Sequence, residues 1–203
     1  MSRLLLATNN PGKVREMRLL LASSDASLLT PADLALDLKL AETGEDYAAN
    51  ARLKALGFAR AGNVLAVGDD SGLEVEALDG APGLFSARVA GPGAGDADRR
   101  RRLLAQLAVH EPPWPARFVC AMALAAPSGV IAVTRGECHG HIIGEERGQG
   151  GFGYDPIFLV EDSGQTMAEL SEAHKNQISH RARAAQTLLP ILVEKLRADQ
   201  ASG

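Results

Sequence analysis

The sequence predicts an α/β protein with a mixed sheet. Two observations lead there: a β-α-β order in the first 70 residues, and a later pair of apolar runs joined by the turn Pro127-Ser128-Gly129. RLLLA at 3–7 is a short apolar run that reads as a buried strand, and TNNPGK at 8–13 is the loop after it. Pro11 stands where a helix favours proline, and VREMRLLLA continues that helix. Residues 46–61 carry Tyr47, Ala51, Leu53 and Phe58 at helical spacing. VLAVGDD at 64–70 is predicted as a strand ending in two carboxylates, and 95–109 as a helix that is polar first and leucine-rich later. RFVCAMALA at 117–125 and GVIAVTRGECHG at 129–140 are the later strands. Residues 179–198 form the last predicted helix, with Ser179 as its cap. No internal repeat or low-complexity linker interrupts this order.

Composition narrows the function classes. A chain of 203 residues makes one large domain or two small lobes and can bury a sizeable core. Apolar content of 46% and charged content of 23% are ordinary for a globular protein. A net charge of −4 speaks against nucleic acid as the main partner. Arg99 to Arg102 follow Asp96 and Asp98 and precede Leu103, Leu104 and Leu107, which reads as a solvated helix face. The two cysteines suggest neither a disulfide framework nor a zinc site: Cys120 lies in an apolar run and Cys138 has no CxxC partner. No basic-then-apolar leader opens the chain and no run reaches membrane-span length, so a cytoplasmic enzyme or binding protein is expected, with no membrane partner.

Five segments carry chemistry. In TNNPGK, the loop-to-helix junction offers amide groups and Lys13 to an anion; an ordinary capped helix with an exposed lysine fits equally well. The Walker pattern is absent, since Ala7 and Val14 stand where it needs Gly and Ser or Thr. GDDSGL at 68–73 places two acids at a strand end, where a Mg²⁺ ion finds hard oxygen ligands; the alternative is a turn with its own side-chain hydrogen bonds. Strand geometry sends Asp69 and Asp70 to opposite faces and gives them different roles, unless the strand has already ended. In ETGEDYAANARLKA at 42–55, Asn50 and Lys54 share a helical face with Phe58, suited to a phosphate or simply to solvent. GQGGFGYDP at 148–156 has glycines around Phe152, Tyr154 and Asp155. It suits a flat nucleobase, although alone it reads better as a tight turn with Phe152 and Tyr154 as core plugs. Lys175, Ser179, His180 and Arg181 gather near a helix start, where His and Arg can donate to a carbonyl on a base edge, or simply decorate a charged helix start. His139 and His141 share a strand face, but without a third ligand they read as structural.

TNNPGK, ETGEDYAANARLKA, GDDSGLEVEALDGAPGLFSARVAG, GGFGYDPIF and KNQISHRARA, in this order and spacing, resemble the inosine triphosphate pyrophosphatase family, the Ham1-like enzymes, over residues 3 to about 190. The resemblance implies a long mixed central sheet with flanking helices forming two lobes around a nucleotide cleft, as a single domain over 1–203. It implies Mg²⁺-dependent hydrolysis of non-standard purine nucleoside triphosphates (ITP, dITP, XTP) to monophosphate and pyrophosphate, by a homodimer. By position, Thr8, Asn9, Asn10, Pro11, Gly12 and Lys13 would hold phosphates. Glu42 and Asp70 would ligate Mg²⁺, with Asp70 as general base, and Ser71 would touch the substrate. Phe152, Gly153, Tyr154 and Asp155 would form the base pocket, completed by Lys175, His180 and Arg181. One departure is Ala49, where family members often carry Glu. A Maf-like pyrophosphatase of modified pyrimidine nucleotides and a catalytically silent nucleotide-binding regulator are the alternatives. Against them stand the GGFGYDP and SHR segments in the first case and the intact Lys13, Glu42, Asp69 and Asp70 in the second.

Overall fold

The computed structural model describes residues 2–201; Met1, Ser202 and Gly203, the ends of the expected 1–203 domain, lie outside the described residues. The strands are β1 (Arg3–Leu6), β2 (Ser27–Leu29), β3 (Leu65–Val75), β4 (Trp114–Ala126), β5 (Gly129–Ile142) and β6 (Phe158–Val160). The α-helices are α1 (Pro11–Leu20), α2 (Tyr47–Gly62), α3 (Asp96–Leu107), α4 (Glu172–Ile178) and α5 (His180–Ala201). The strands form one sheet in the order β2-β1-β3-β4-β5-β6. It is mixed: β1 runs parallel to β2 and β3, while β5 and β6 are antiparallel. No helix of the described residues is long and apolar enough to cross a membrane.

The chain divides into two compact units. One comprises Met1–Asp70, Cys120–Gly136 and Arg181–Gly203; the other comprises Ser71–Val119 and Glu137–His180. Each has its own core. In the first, Leu4, Leu6, Met17, Val67, Met122, Leu188 and Leu192 are buried together, and Thr134 of β5 donates to the Ala184 carbonyl of α5 at 2.9 Å. In the second, Leu73, Val75, Leu103, Leu107, Phe118, Tyr154 and Phe158 form the core. A core of leucines closing over itself in each unit is the main stabilising term, at roughly 25 cal/mol per Å² of apolar surface removed from water.

The structure changes four expectations about elements. β3 does not stop at the two acids but continues through Ser71 and Gly72 to Val75, since Leu73 and Val75 are core residues and Leu73 N donates to Ser86 Oγ at 2.9 Å. The last helix starts at His180, directly after the extended Ser179, which also closes a separate short helix, α4, that Ser171 caps. The three-residue strands β2 and β6 were too short to register as patterns. The arginine run is not simply solvated: Arg100 donates to both Glu146 carboxylate oxygens (2.8 and 2.9 Å) and to the Gly153 carbonyl (2.8 Å).

Candidate functional site

The candidate residues fall into two clusters, one in each unit. In the first unit, α1, α2, β3 and α5 deliver charged side chains to the middle of the sheet. Asn10 caps α1 by accepting from Gly12 N (2.9 Å) and Lys13 N (3.2 Å), so the amides expected to meet an anion are held by Asn10's own amide oxygen. The capped turn directs Lys13 onto β3, where Nζ lies 3.0 Å from Asp69 Oδ2. Thr8 and Asn9 lie before it, Thr8 Oγ1 accepting from Asn10 N at 3.1 Å. From α5, Arg181 Nε reaches the same Asp69 oxygen at 3.1 Å, and Nη1 reaches Glu16 Oε2 of α1 at 2.5 Å. Asp69 is 1% exposed, and its other oxygen, Oδ1, is buried without a hydrogen-bond partner among the described residues.

Asp70 makes different contacts, as strand alternation predicts. Its Oδ2 accepts from Asn50 Nδ2 at 3.2 Å and its Oδ1 from Lys54 Nζ at 2.6 Å. Lys54 also lies 2.6 Å from Glu42 Oε1 and donates to the Asp69 carbonyl at 3.2 Å. Gly68 makes this possible: a Cβ there would come 2.6 Å from Ala55 N and 2.9 Å from the Ala51 carbonyl, so only glycine lets α2 pack this closely on β3. Ala49 lies at the first turn of α2, where its N–H donates to the cap Asp46; the α2 residue that touches Asp70 from the next position is Asn50.

The electrostatics follow from burial and pairing. Burial alone would push the Asp69 carboxyl up, but Lys13, Arg181 and Lys54 outweigh it and hold Asp69 well below the ordinary carboxylate range. For Asp70, burial prevails over Lys54 and leaves its carboxyl above the ordinary value. Burial disfavours the Lys54 ammonium, yet Asp70 and Asp69 overcome it and hold Lys54 above its ordinary value. Arg181 behaves likewise, since Asp69 and Glu16 overcome its complete burial. Cys120 is a core thiol pushed up to about 12 by burial and by Asp69. In this network Glu16, Glu42, Asp69 and Asp70 outnumber Lys13, Lys54 and Arg181 by one.

Among the described residues, no group of three or more His, Cys, Asp or Glu side chains is arranged to hold a metal ion. The pair Glu42 and Asp70 is the smaller set that suits Mg²⁺, which keeps waters and takes phosphate oxygens for its remaining positions. Their convergence on one ammonium shows that both carboxylates can meet a single cation.

The second unit contains the glycine-rich loop. Gly151 has φ +71°, and a Cβ there would collide with Asp155 Oδ2. That oxygen accepts from Phe152 N at 2.8 Å and from Lys175 Nζ at 2.6 Å. The Lys175 ammonium lies 5.3 Å from the centre of the half-buried Phe152 ring. Asp96 accepts from Gly153 N at 2.7 Å, and Arg100 holds the Gly153 carbonyl, so α3 grips both backbone polar groups of one loop residue. Arg100 and Asp96 are positioning residues on a helix face whose charged sequence suggests only solvation; no local pattern reveals a pairing across 53 and 57 residues. The Tyr154 ring belongs to the core, its hydroxyl donating to the Ser86 carbonyl at 2.8 Å and pushed up to about 12 by burial. His180 is buried and stacks on Phe118, with centroids 4.8 Å and planes 16° apart. Ser71 is half-buried on β3. His139 lies 3.4 Å from Glu137 and, with His141, lines a separate cavity of about 370 Å³ to which no candidate residue contributes.

The Arg181 guanidinium is engaged by Asp69 and Glu16 in the first unit, as a buried guanidinium requires. The chain passes from one unit to the other at Asp70–Ser71 and again at His180–Arg181, so adjacent candidate residues contribute to different clusters.

A family model described as the Ham1 family matches residues 4–191. A dITP/XTP pyrophosphatase of Gloeobacter violaceus is 50% identical over 187 residues, covering 92% of each chain. One of Streptomyces avermitilis is 46% identical over 201 residues, covering 97% of this chain and all of its own. Among solved structures, a HAM1 protein from Coxiella burnetii superposes with a TM-score of 0.85 at 37% identity, covering 96% of this chain and all of that one. A nucleoside-triphosphatase / dITP/XTP pyrophosphatase from Mycobacterium abscessus gives 0.73 at 39% identity over 93% of this chain and 99% of that one.

Proposed function

The chain belongs to the Ham1 family, and from that premise we propose that it hydrolyses non-standard purine nucleoside triphosphates, dITP, XTP and ITP, to the monophosphate and pyrophosphate, removing them from the nucleotide pool. The Ham1 match spans segments of both units, so both are read as one working domain. The observation that carries the reading in the structure is the meeting of Glu42, Asp70 and Lys54 beside the Asp69-bound Lys13.

Breaking an α–β phosphoanhydride bond needs neutralised phosphate charge, an aligned water and an acceptor for its proton. Lys13, at the start of α1, and Lys54 supply positive charge to the phosphates, with Thr8 to Asn10 as the preceding loop and Pro11 and Gly12 as the first residues of α1. Glu42 and Asp70 would hold the metal, which we take to be Mg²⁺. Mg²⁺ bound there would withdraw charge from the phosphate oxygens. Asp70 takes the proton of the attacking water; its raised affinity for protons suits a general base better than the strongly acidic Asp69 does. Asp69 and Arg181 are positioning residues that fix Lys13 and Glu16. In the second unit, Phe152 offers a flat ring for the base, Asp155 and Lys175 hold the loop that presents it, and His180 is kept flat by Phe118. Ser71 contacts the substrate next to Asp70. The enzyme works in the cytoplasm as a homodimer.

A pyrophosphate-release assay over dITP, XTP, ITP, GTP, ATP and methylated UTP tests the reading. Turnover of the 6-keto purines dITP and XTP well ahead of ATP and UTP is expected; preference for the methylated pyrimidine would support the Maf-like alternative instead.

A further inference from the structure

We propose that Lys54 is a built-in counter-ion that occupies the cation position between Glu42 and Asp70 in the nucleotide-free enzyme, so that a divalent cation has to displace it. The inference rests on the reading of Glu42 and Asp70 as metal ligands and adds a rule for when the metal enters. The Lys54 ammonium has three oxygen neighbours: Glu42 Oε1 at 2.6 Å, Asp70 Oδ1 at 2.6 Å and the Asp69 carbonyl at 3.2 Å. Two carboxylates and a carbonyl are the donors a hard divalent cation would take. The side chain is 14% exposed, and Asn50 holds the opposite Asp70 oxygen, so the carboxylate is fixed facing the ammonium. An ammonium and a metal ion repel each other, and the ammonium already fills the position between the two oxygens that a metal ion would take.

The consequence is coupling. A metal ion arriving alone must expel an ammonium into a half-buried space with no new anion to receive it. A metal ion arriving with a polyanion finds the ammonium a partner in the incoming phosphates. The nucleotide-free enzyme therefore binds metal weakly, and metal and triphosphate enter together. Lys54 is flexible enough for this exchange, since its stem carries four rotatable bonds and a compact point charge.

Mn²⁺ binding to the nucleotide-free protein, followed by the loss of the free-ion paramagnetic resonance signal, tests the proposal without any turnover. Lys54→Met is expected to bind Mn²⁺ about tenfold or more tightly than wild type, because the competing charge is gone. Lys54→Arg, which keeps the charge, is expected to remain as weak as wild type, and Glu42→Gln on top of Lys54→Met is expected to abolish the gain. Lys54→Gln provides a second neutral variant should the methionine fail to fold by circular dichroism. Equal or weaker Mn²⁺ affinity in both neutral variants, with Glu42→Gln still weakening wild type, would overturn the counter-ion and leave the metal ligands standing. Affinity indifferent to Glu42→Gln in every background would overturn the ligand assignment and the counter-ion with it.

Discussion

Asp69 and Asp70 are neighbours in sequence with opposite jobs, and each predicts a different defect. On the proposed roles, Asp70→Asn removes a metal ligand and the proton acceptor while keeping the shape of the side chain. Turnover should fall on the order of a hundredfold or more with an unchanged circular dichroism spectrum. Asp69→Asn removes the anion that balances Lys13 and Arg181 in a buried place, so the loss falls on stability, about 3–5 kcal/mol in chemical denaturation near neutral pH. The pH dependence has a definite sign. Asp69's carboxyl is depressed in the folded state, so its stabilisation is fully present above the unfolded value of 3.8 and is lost as pH falls from there toward the folded value. The stability gap between wild type and Asp69→Asn should therefore narrow below about pH 4. A gap that stays constant into acid would show that Asp69 is not the ionised partner of Lys13 and Arg181.

At the scale of elements, two close approaches set the geometry. α2 lies against β3 only because residue 68 is glycine; Gly68→Ala should push α2 off, pull Lys54 and Asn50 away from Asp70, and cost about 1–3 kcal/mol together with most of the turnover. α3 holds the glycine-rich loop through Arg100 and Asp96. Arg100→Ala should speed hydrogen exchange of the 148–155 amides by roughly tenfold and raise KM more than it lowers kcat. Unchanged exchange in that loop would remove α3 from the account. The elements legible in the sequence were those with long periodic or apolar runs: β1, α1, α2, α3, β4, β5 and most of α5. The missed ones have physical reasons. β2 and β6 have three residues each, too few for an alternation to be counted. Ser71-Gly72 looks like a turn, and only the core positions of Leu73 and Val75 turn it into strand. The motif residues of both clusters were legible as motifs. Their partners were not: Arg181 meets Asp69 across 112 residues and Glu16 across 165, and no local pattern encodes such pairs.

For the whole molecule, the sequence carries a Ham1 chemistry on a mixed six-stranded sheet, with a charged cluster in one compact unit and an aromatic-and-glycine loop in the other. On the proposed roles, the charged cluster serves hydrolysis of the triphosphate. In the same proposal, the loop receives the flat base. The central claim is that the Glu42 and Asp70 cluster does the chemistry on 6-keto purine triphosphates. It is tested most directly by kcat/KM for dITP, XTP and ATP, with Mg²⁺, in wild type and Asp70→Asn. Wild type is expected to favour dITP and XTP over ATP by about 100-fold or more, and Asp70→Asn to lose turnover on all three while remaining folded. A folded Asp70→Asn protein that cleaves dITP at the wild-type rate would contradict it.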